Sequence, residues 1–144
     1  MVDSLYERTI ELAASAARMA DGTGTEVELN GKHLCYVVLC EFTDKKTDAT
    51  DKMDVFVDVL VGSTWINAIH FTQALGDGTD AAKEYAILAP NGNNTTVTVA
   101  TADLASGAVR GDAFGSSMRA RWDFTDGGGG GVASFTFSVT AYGI

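Results

Sequence analysis

S-M-R-A-R-W-D-F at residues 117–124 and A-S-F-T-F-S-V-T-A-Y at residues 133–142 alternate without a break. Met118, Ala120, Trp122 and Phe124 share one side of the first run, opposite Ser117, Arg119, Arg121 and Asp123. In the second run Ala133, Phe135, Phe137, Val139 and Ala141 share a side, opposite Ser134, Thr136, Ser138 and Thr140. Successive strand side chains point to opposite faces, so each run reads as a strand with one buried and one wet face. Gly127–Gly131 separates them, and the two read together as an antiparallel hairpin closing the chain. The class is therefore all-β, an architecture that serves binding and assembly more often than chemistry.

The same pattern extends upstream. Met53, Val55, Val57, Val59 and Val61 alternate, Gly62–Thr64 makes a tight turn, and W-I-N-A-I-H-F-T follows, with Trp65, Ile69 and Phe71 on one face. This is a second hairpin. Residues 32–42 are apolar on both faces: Leu34, Tyr36, Val38, Cys40 and Phe42 on one, Cys35, Val37 and Leu39 on the other. Such a strand is covered on both sides, centrally in the fold or by another subunit. Residues 43–52 read as a charged loop and 74–84 as a long loop with room for one helical turn. Tyr85–Leu88 reads as a short strand, Pro90–Asn94 as a turn and 95–100 as a strand. Residues 101–116 read as a connection with a brief strand near Val109. The first twenty residues fit a helix lined by Leu5, Leu12, Ala13, Ala16 and Ala20. They fit equally a strand lined by Ile10, Leu12, Ala14 and Ala16, and agreement with the downstream pattern favours the extended form turning at Asp21–Gly24. The expected architecture is a single antiparallel β-sandwich or jelly roll of roughly eight strands. Residues 1–24 form an arm or first strand, and 25–144 form the body.

Composition narrows the function. The chain has 144 residues, enough for one core without staples, with 46% hydrophobic and 20% charged residues. A net charge of −9 and a pI near 4.4 oppose nucleic acid as a partner, since phosphate binding needs a basic footprint. Cys35 and Cys40 are an odd number of residues apart in one strand, so they face apart and read as buried thiols of a reducing compartment. The amino terminus is acidic where a signal peptide is basic, and no apolar run approaches a membrane span. The expectation is synthesis in a cytoplasm, with no membrane partner.

Chemical motifs are thin. Arg110-Gly111-Asp112 spells an adhesion tripeptide, but that composition is common in turns. The glycine run leads into a strand and carries no lysine, so it is a loop tip rather than a phosphate cradle. Asp44, Asp48, Asp51 and Asp54 lack the alternate-residue spacing of a calcium loop, whereas Asp77 and Asp80 could offer two oxygens. His33 and His70 stand among apolar neighbours without a nucleophile motif. Trp65 and Trp122 lie with their strands' apolar residues and read as core. Arg119 and Arg121 beside Asp123 read as an outward charge ladder, or as a grip for an acidic partner. No cofactor and no catalytic residue is expected.

V-D-V-L-V-G-S-T-W at 57–65, I-H-F-T-Q at 69–73, M-R-A-R-W-D-F-T at 118–125 and S-F-T-F-S-V-T-A-Y-G at 134–143 together resemble small virion structural proteins of tailed bacteriophages. In particular they resemble head decoration (cement) proteins with a β-sandwich or jelly-roll body. The resemblance covers most of 53–144. It implies a non-enzymatic protein on the capsid exterior that self-associates, often as a homotrimer, and clamps the major capsid protein. The charged loop at 43–52 departs from the shorter hairpin that resemblance implies. Leu34, Tyr36, Val37 and Leu39 are the expected subunit contact. Leu5, Tyr6, Ile10 and Leu12 of the arm, with Arg119 and Arg121, complete the expected interface. The alternatives are a tail or head–tail junction subunit, a carbohydrate-binding sandwich using Trp65, Trp122, Tyr85 or Tyr142, and a small carboxylate enzyme.

Overall fold

β-Branched and aromatic residues at alternate positions leave this chain little choice but strands, and strands are what it forms. The computed structural model describes residues 8–29, 33–46, 48–76, 83–89, 101–129 and 134–144. The described residues hold no helix. Their strands are β1 (Arg8–Arg18), β2 (Gly22–Thr23), β3 (Val27–Glu28), β4 (Tyr36–Lys46), β5 (Lys52–Val61), β6 (Thr64–His70), β7 (Ala74–Leu75), β8 (Lys83–Leu88), β9 (Ser117–Thr125) and β10 (Ser134–Gly143). Two antiparallel sheets pack as a sandwich. Sheet A runs β1-β10-β4-β8; sheet B runs β2-β9-β5-β6, with β3 beside β9 and β7 beside β5.

The two runs that announce the fold do not pair with each other. β9 lies in sheet B and β10 in sheet A, so the expected closing hairpin is corrected to a crossover between layers. Alternation reports that a strand has one buried face; it carries no information about its neighbour. The eight residues 126–133 between the strands are more than the two to five usual for a hairpin. The buried faces of the two strands meet across the core instead. Trp122 meets Phe137 edge-on at 5.5 Å between centroids, and Phe124 meets Phe135 at 6.2 Å.

β1 is an edge strand, hydrogen-bonded along its length to β10 through a register that shifts twice between Glu11 and Ala16. Residues 8–18 are thus a strand of the sheet and no free arm, and Ile10 and Leu12 are buried in the core. At the end of β1, Arg18 lies over Trp122 and Phe137 (4.4 and 4.1 Å to the centroids) and donates to the carbonyls of Ala14, Ala16 and Phe137. The second expected hairpin is present: β5 pairs β6 through a turn where Gly62 takes φ +63°. The charged loop at 43–52 is shorter than expected, because β4 runs to Lys46 and β5 begins at Lys52. Asp51 closes it, buried, accepting from the amides of Asp48 and Gly127.

Residues 101–116 form a strap along the open side of the sandwich. It bonds the edge of β6 (His70 N to Ala108 O, Arg110 N to Ala68 O) and reaches the end of β8 (Ala89 N to Gly111 O). The brief strand expected near Val109 is a single bridge to Ile69. The turn expected at Pro90–Asn94, the strand at 95–100, the acids Asp77 and Asp80, and Leu5 and Tyr6 lie outside the described residues.

Candidate assembly interface

The outer faces of the two sheets differ sharply. On sheet B, β5 turns Asp54, Phe56 and Asp58 outward, and β9 turns Arg119 and Arg121 outward. β6 adds Trp65, Asn67 and His70 to the same side, which strict alternation forbids for residues 67 and 70. The register shift opposite Val57 and Asp58 makes Ala68 an extra residue, so Ile69 turns inward and His70 outward. The expectation that Trp65 shares a face with Ile69 and packs in the core is therefore corrected. Trp65 lies half-buried on the outer face, beneath the Arg119 guanidinium at 4.2 Å, while Trp122 is core as expected.

This outer face is covered by the chain's own strap, and its polar groups are buried with partners. Asn67 donates to Asp58 Oδ1 (3.1 Å), Val57 O and Ile69 O, and accepts from Leu104 N (3.0 Å). Asp58, buried, receives Arg121 Nε at 2.9 Å and Arg119 Nε at 3.4 Å. Arg121 also bonds Asp103 of the strap. Burial alone would lower the Arg121 guanidinium's pKa, but Asp58 and Asp103 outweigh it and raise the pKa. Arg119 and Arg121, expected to grip a partner, are thus committed to carboxylates of their own chain. His70 Nδ1 lies 2.7 Å from Leu104 O, and Nε2 lies 2.7 Å from Asp54 Oδ1.

Among the described residues, sheet A's outer face has no such cover. Reading across the register, one row is Ile87, Val37, Tyr142 and Thr9; the next is Tyr85, Leu39, Thr140 and Glu11; a third begins Lys83, Glu41, Ser138. Tyr85 is 70% exposed and Ile87 50%, with Tyr142 and Ile144 also exposed and Leu34 at the rim 82% exposed. Val37 and Leu39 lie half-buried among them. Five of the eight large exposed apolar residues therefore gather on this face or its rim; the other three are Met19, Leu75 and Val109. The charge here is nearly balanced: Lys83 Nζ meets Glu41 at 3.4 Å, and Glu11 stands apart.

Of the expected contact residues, Leu34, Val37 and Leu39 lie on this patch. Tyr36 does not: it is wholly buried on the opposite face of β4, its ring against Phe114 at 5.6 Å. Ile10 and Leu12 likewise belong to the core, because alternation puts them on the inner side of β1. Tyr85, Ile87, Tyr142 and Ile144 belong to the patch and were not expected there; their signal lies in strands β8 and β10 being neighbours of β4, which sequence spacing does not reveal. Cys40 is buried and Cys35 half-buried on opposite faces, both free; burial pushes the Cys40 thiol far above its usual range.

A cleft of about 330 Å³ lies between β8 and the end of β6, walled by Phe71, Thr72, Glu84, Tyr85 and Val109 among others. Glu84 is its carboxylate, and it accepts the amide of Thr72 at 2.9 Å. Among the described residues no three His, Cys, Asp or Glu side chains are grouped so as to hold a metal ion. No known family model matches this chain, and neither a curated protein nor a solved structure does.

Proposed function

We propose that this chain is a non-enzymatic structural protein that self-associates and holds a larger assembly together through the outer face of sheet A. Its sequence pattern resembles that of capsid decoration proteins, and decoration of a phage head by contact with the major capsid protein is the role we assign. One observation carries the reading: among the described residues, one sheet is shielded by the chain's own strap and the other is apolar and exposed. Contiguous exposed apolar surface costs solubility, and proteins retain it where something covers it. The face is four strands wide and about ten residues long, roughly 19 Å by 33 Å, or about 600 Å² per partner. That is near the lower end of specific contacts, so the face needs a second contact per subunit for a durable shell. A closed trimer or attachment to capsid subunits supplies one.

The glycan-binding alternative needs an aromatic exposed at a concave site; Trp122 is core and Trp65 lies beneath Arg119, which leaves it Tyr85 and Tyr142 on the outer face of sheet A. The carboxylate-enzyme alternative needs two convergent acids, and the cleft beside β8 brings Glu84.

Native mass in solution tests the proposal. The expected result is a discrete oligomer that Tyr85→Lys and Ile87→Lys convert to monomer with unchanged thermal stability, because both residues are exposed. The same substitutions should abolish co-sedimentation with shells of the major capsid protein. A wild-type chain that remains monomeric at high concentration and ignores such shells overturns the reading.

A further inference from the structure

We propose that His70 is a charge-operated clasp: with both ring nitrogens carrying hydrogen it holds Leu104 of the strap against sheet B, and on losing one proton it lets that residue go. This goes beyond the assembly role and does not depend on it.

The geometry leaves the ring little freedom. Nδ1 faces the carbonyl oxygen of Leu104, which only accepts. Nε2 faces Asp54 Oδ1, and Asp54 Oδ2 accepts from the Gln73 amide at 2.8 Å; as a carboxylate this group only accepts. Two acceptors at 2.7 Å are both satisfied only by an imidazole with two N–H groups. A singly protonated ring would turn a lone pair towards an oxygen at that distance, and one bond would break. The bond to Asp54 is charge-assisted and joins β6 to β5 within sheet B, so the bond to the strap is the one released.

The charges around the ring come from every element packed against it. β5 contributes Asp54 and Asp58, and β9 contributes Arg119, Arg121 and Asp123. The strap contributes Asp103 and Arg110, and β8 contributes Glu84. Phe56 stacks on the ring at 4.2 Å and receives the Arg121 guanidinium on its own ring at 3.9 Å. Leu104 is held twice, by His70 at its carbonyl and by Asn67 at its amide, so the clasp acts at one residue of the strap. Because release follows loss of a proton, the bond to Leu104 closes as pH falls and opens as pH rises, while the backbone bonds of Ala108, Arg110 and Gly111 keep the rest of the strap in place.

Nitrogen-15 spectra of the histidine rings, recorded on the intact chain from about pH 5 to about pH 9, span the range over which imidazole charge changes. Hydrogen exchange of the Leu104 amide, corrected for its intrinsic pH dependence, is followed over the same range. The expected result is two protonated ring nitrogens in His70 while Leu104 is protected. Protection should then fall by on the order of tenfold or more as the ring loses its second proton, the loss of one hydrogen bond to a charged group. His33 serves as the internal reference. His70→Gln, which offers one donor and does not titrate there, should make Leu104 exchange independent of pH. A His70 ring with one bare nitrogen while Leu104 stays protected overturns the proposal, as does an unchanged pH response in the glutamine variant. Should that variant fail to fold, the wild-type spectra and exchange decide alone.

Discussion

Asp58 shows how a single side chain organises the covered face. Its carboxylate is buried and is shared by Asn67, Arg119 and Arg121. Forming such a cluster costs most of what it returns, but removing one member strands the charges that remain. Asp58→Ala should therefore lower the unfolding free energy by about 3–5 kcal/mol, a large part of a small domain's total. Urea denaturation at neutral pH measures it, and a loss under about 1 kcal/mol would mean the two arginines find water instead. Two other residues govern behaviour in alkali. Burial raises the pKa of the Tyr36 phenol, with Arg8 pulling the other way, and burial raises that of the Cys40 thiol more strongly. Both groups stay neutral in the folded protein at a pH where the unfolded chain has ionised. The unfolded state then binds fewer protons, and stability falls as pH rises. The loss begins near the ordinary thiol value of 9.0 and steepens past the phenol value of 10.0. Each group contributes a slope of about 1.4 kcal/mol per pH unit. Cys40→Ala should remove the earlier part of the decline and Tyr36→Phe the later, read from denaturation midpoints at stepped pH.

At the level of the strand, Ala68 decides which residues of β6 face which way. It is the extra residue of the bulge and is itself buried. Deleting it restores strict alternation with every neighbour on its present face, Trp65, Asn67 and His70 outward and Ile66 and Ile69 inward. The deletion should therefore keep a cooperative transition and cost about 1–2 kcal/mol, from the bond that Ala68 O accepts from Arg110 N and the burial of one methyl. Ala68→Gly keeps the residue count and should cost about 1 kcal/mol. Calorimetry of the two variants separates register from side chain. The same strand shows where sequence reading reaches its limit. Alternation in 53–61 and 134–142 reported correctly which residues are core, because burial on one face is a local property of the pattern. Trp65 was misplaced because one inserted residue reverses parity downstream and leaves no mark in composition. The closing hairpin was misread for a related reason: β9 and β10 each look half-buried whichever sheet they join. Strand β4 was legible as apolar on both faces. Its exposed neighbours Tyr85 and Tyr142 were not, since pairing over that many residues is decided by tertiary packing.

Over the whole molecule, the charge and the apolar face make opposing demands on association. Each copy carries a net charge of −9, so two copies repel at long range. The outer face of sheet A escapes this locally, since Lys83 neutralises Glu41 and the surrounding rows are apolar or hydroxyl-bearing. A contact made there gains from burial and loses only to the repulsion of the two bodies. Raising the salt from about 0.01 M to about 0.15 M shortens the Debye length from about 30 Å to about 8 Å, which removes the repulsion and leaves burial untouched. Association should therefore tighten with salt, with sedimentation equilibrium showing a lower dissociation constant at the higher ionic strength. A contact built instead on basic side chains gripping acidic ones would loosen over the same interval. Arg119 and Arg121 would be its natural donors, and they are already satisfied within the covered face. Weakening by salt would therefore move the interface away from sheet A and require the strap to open first.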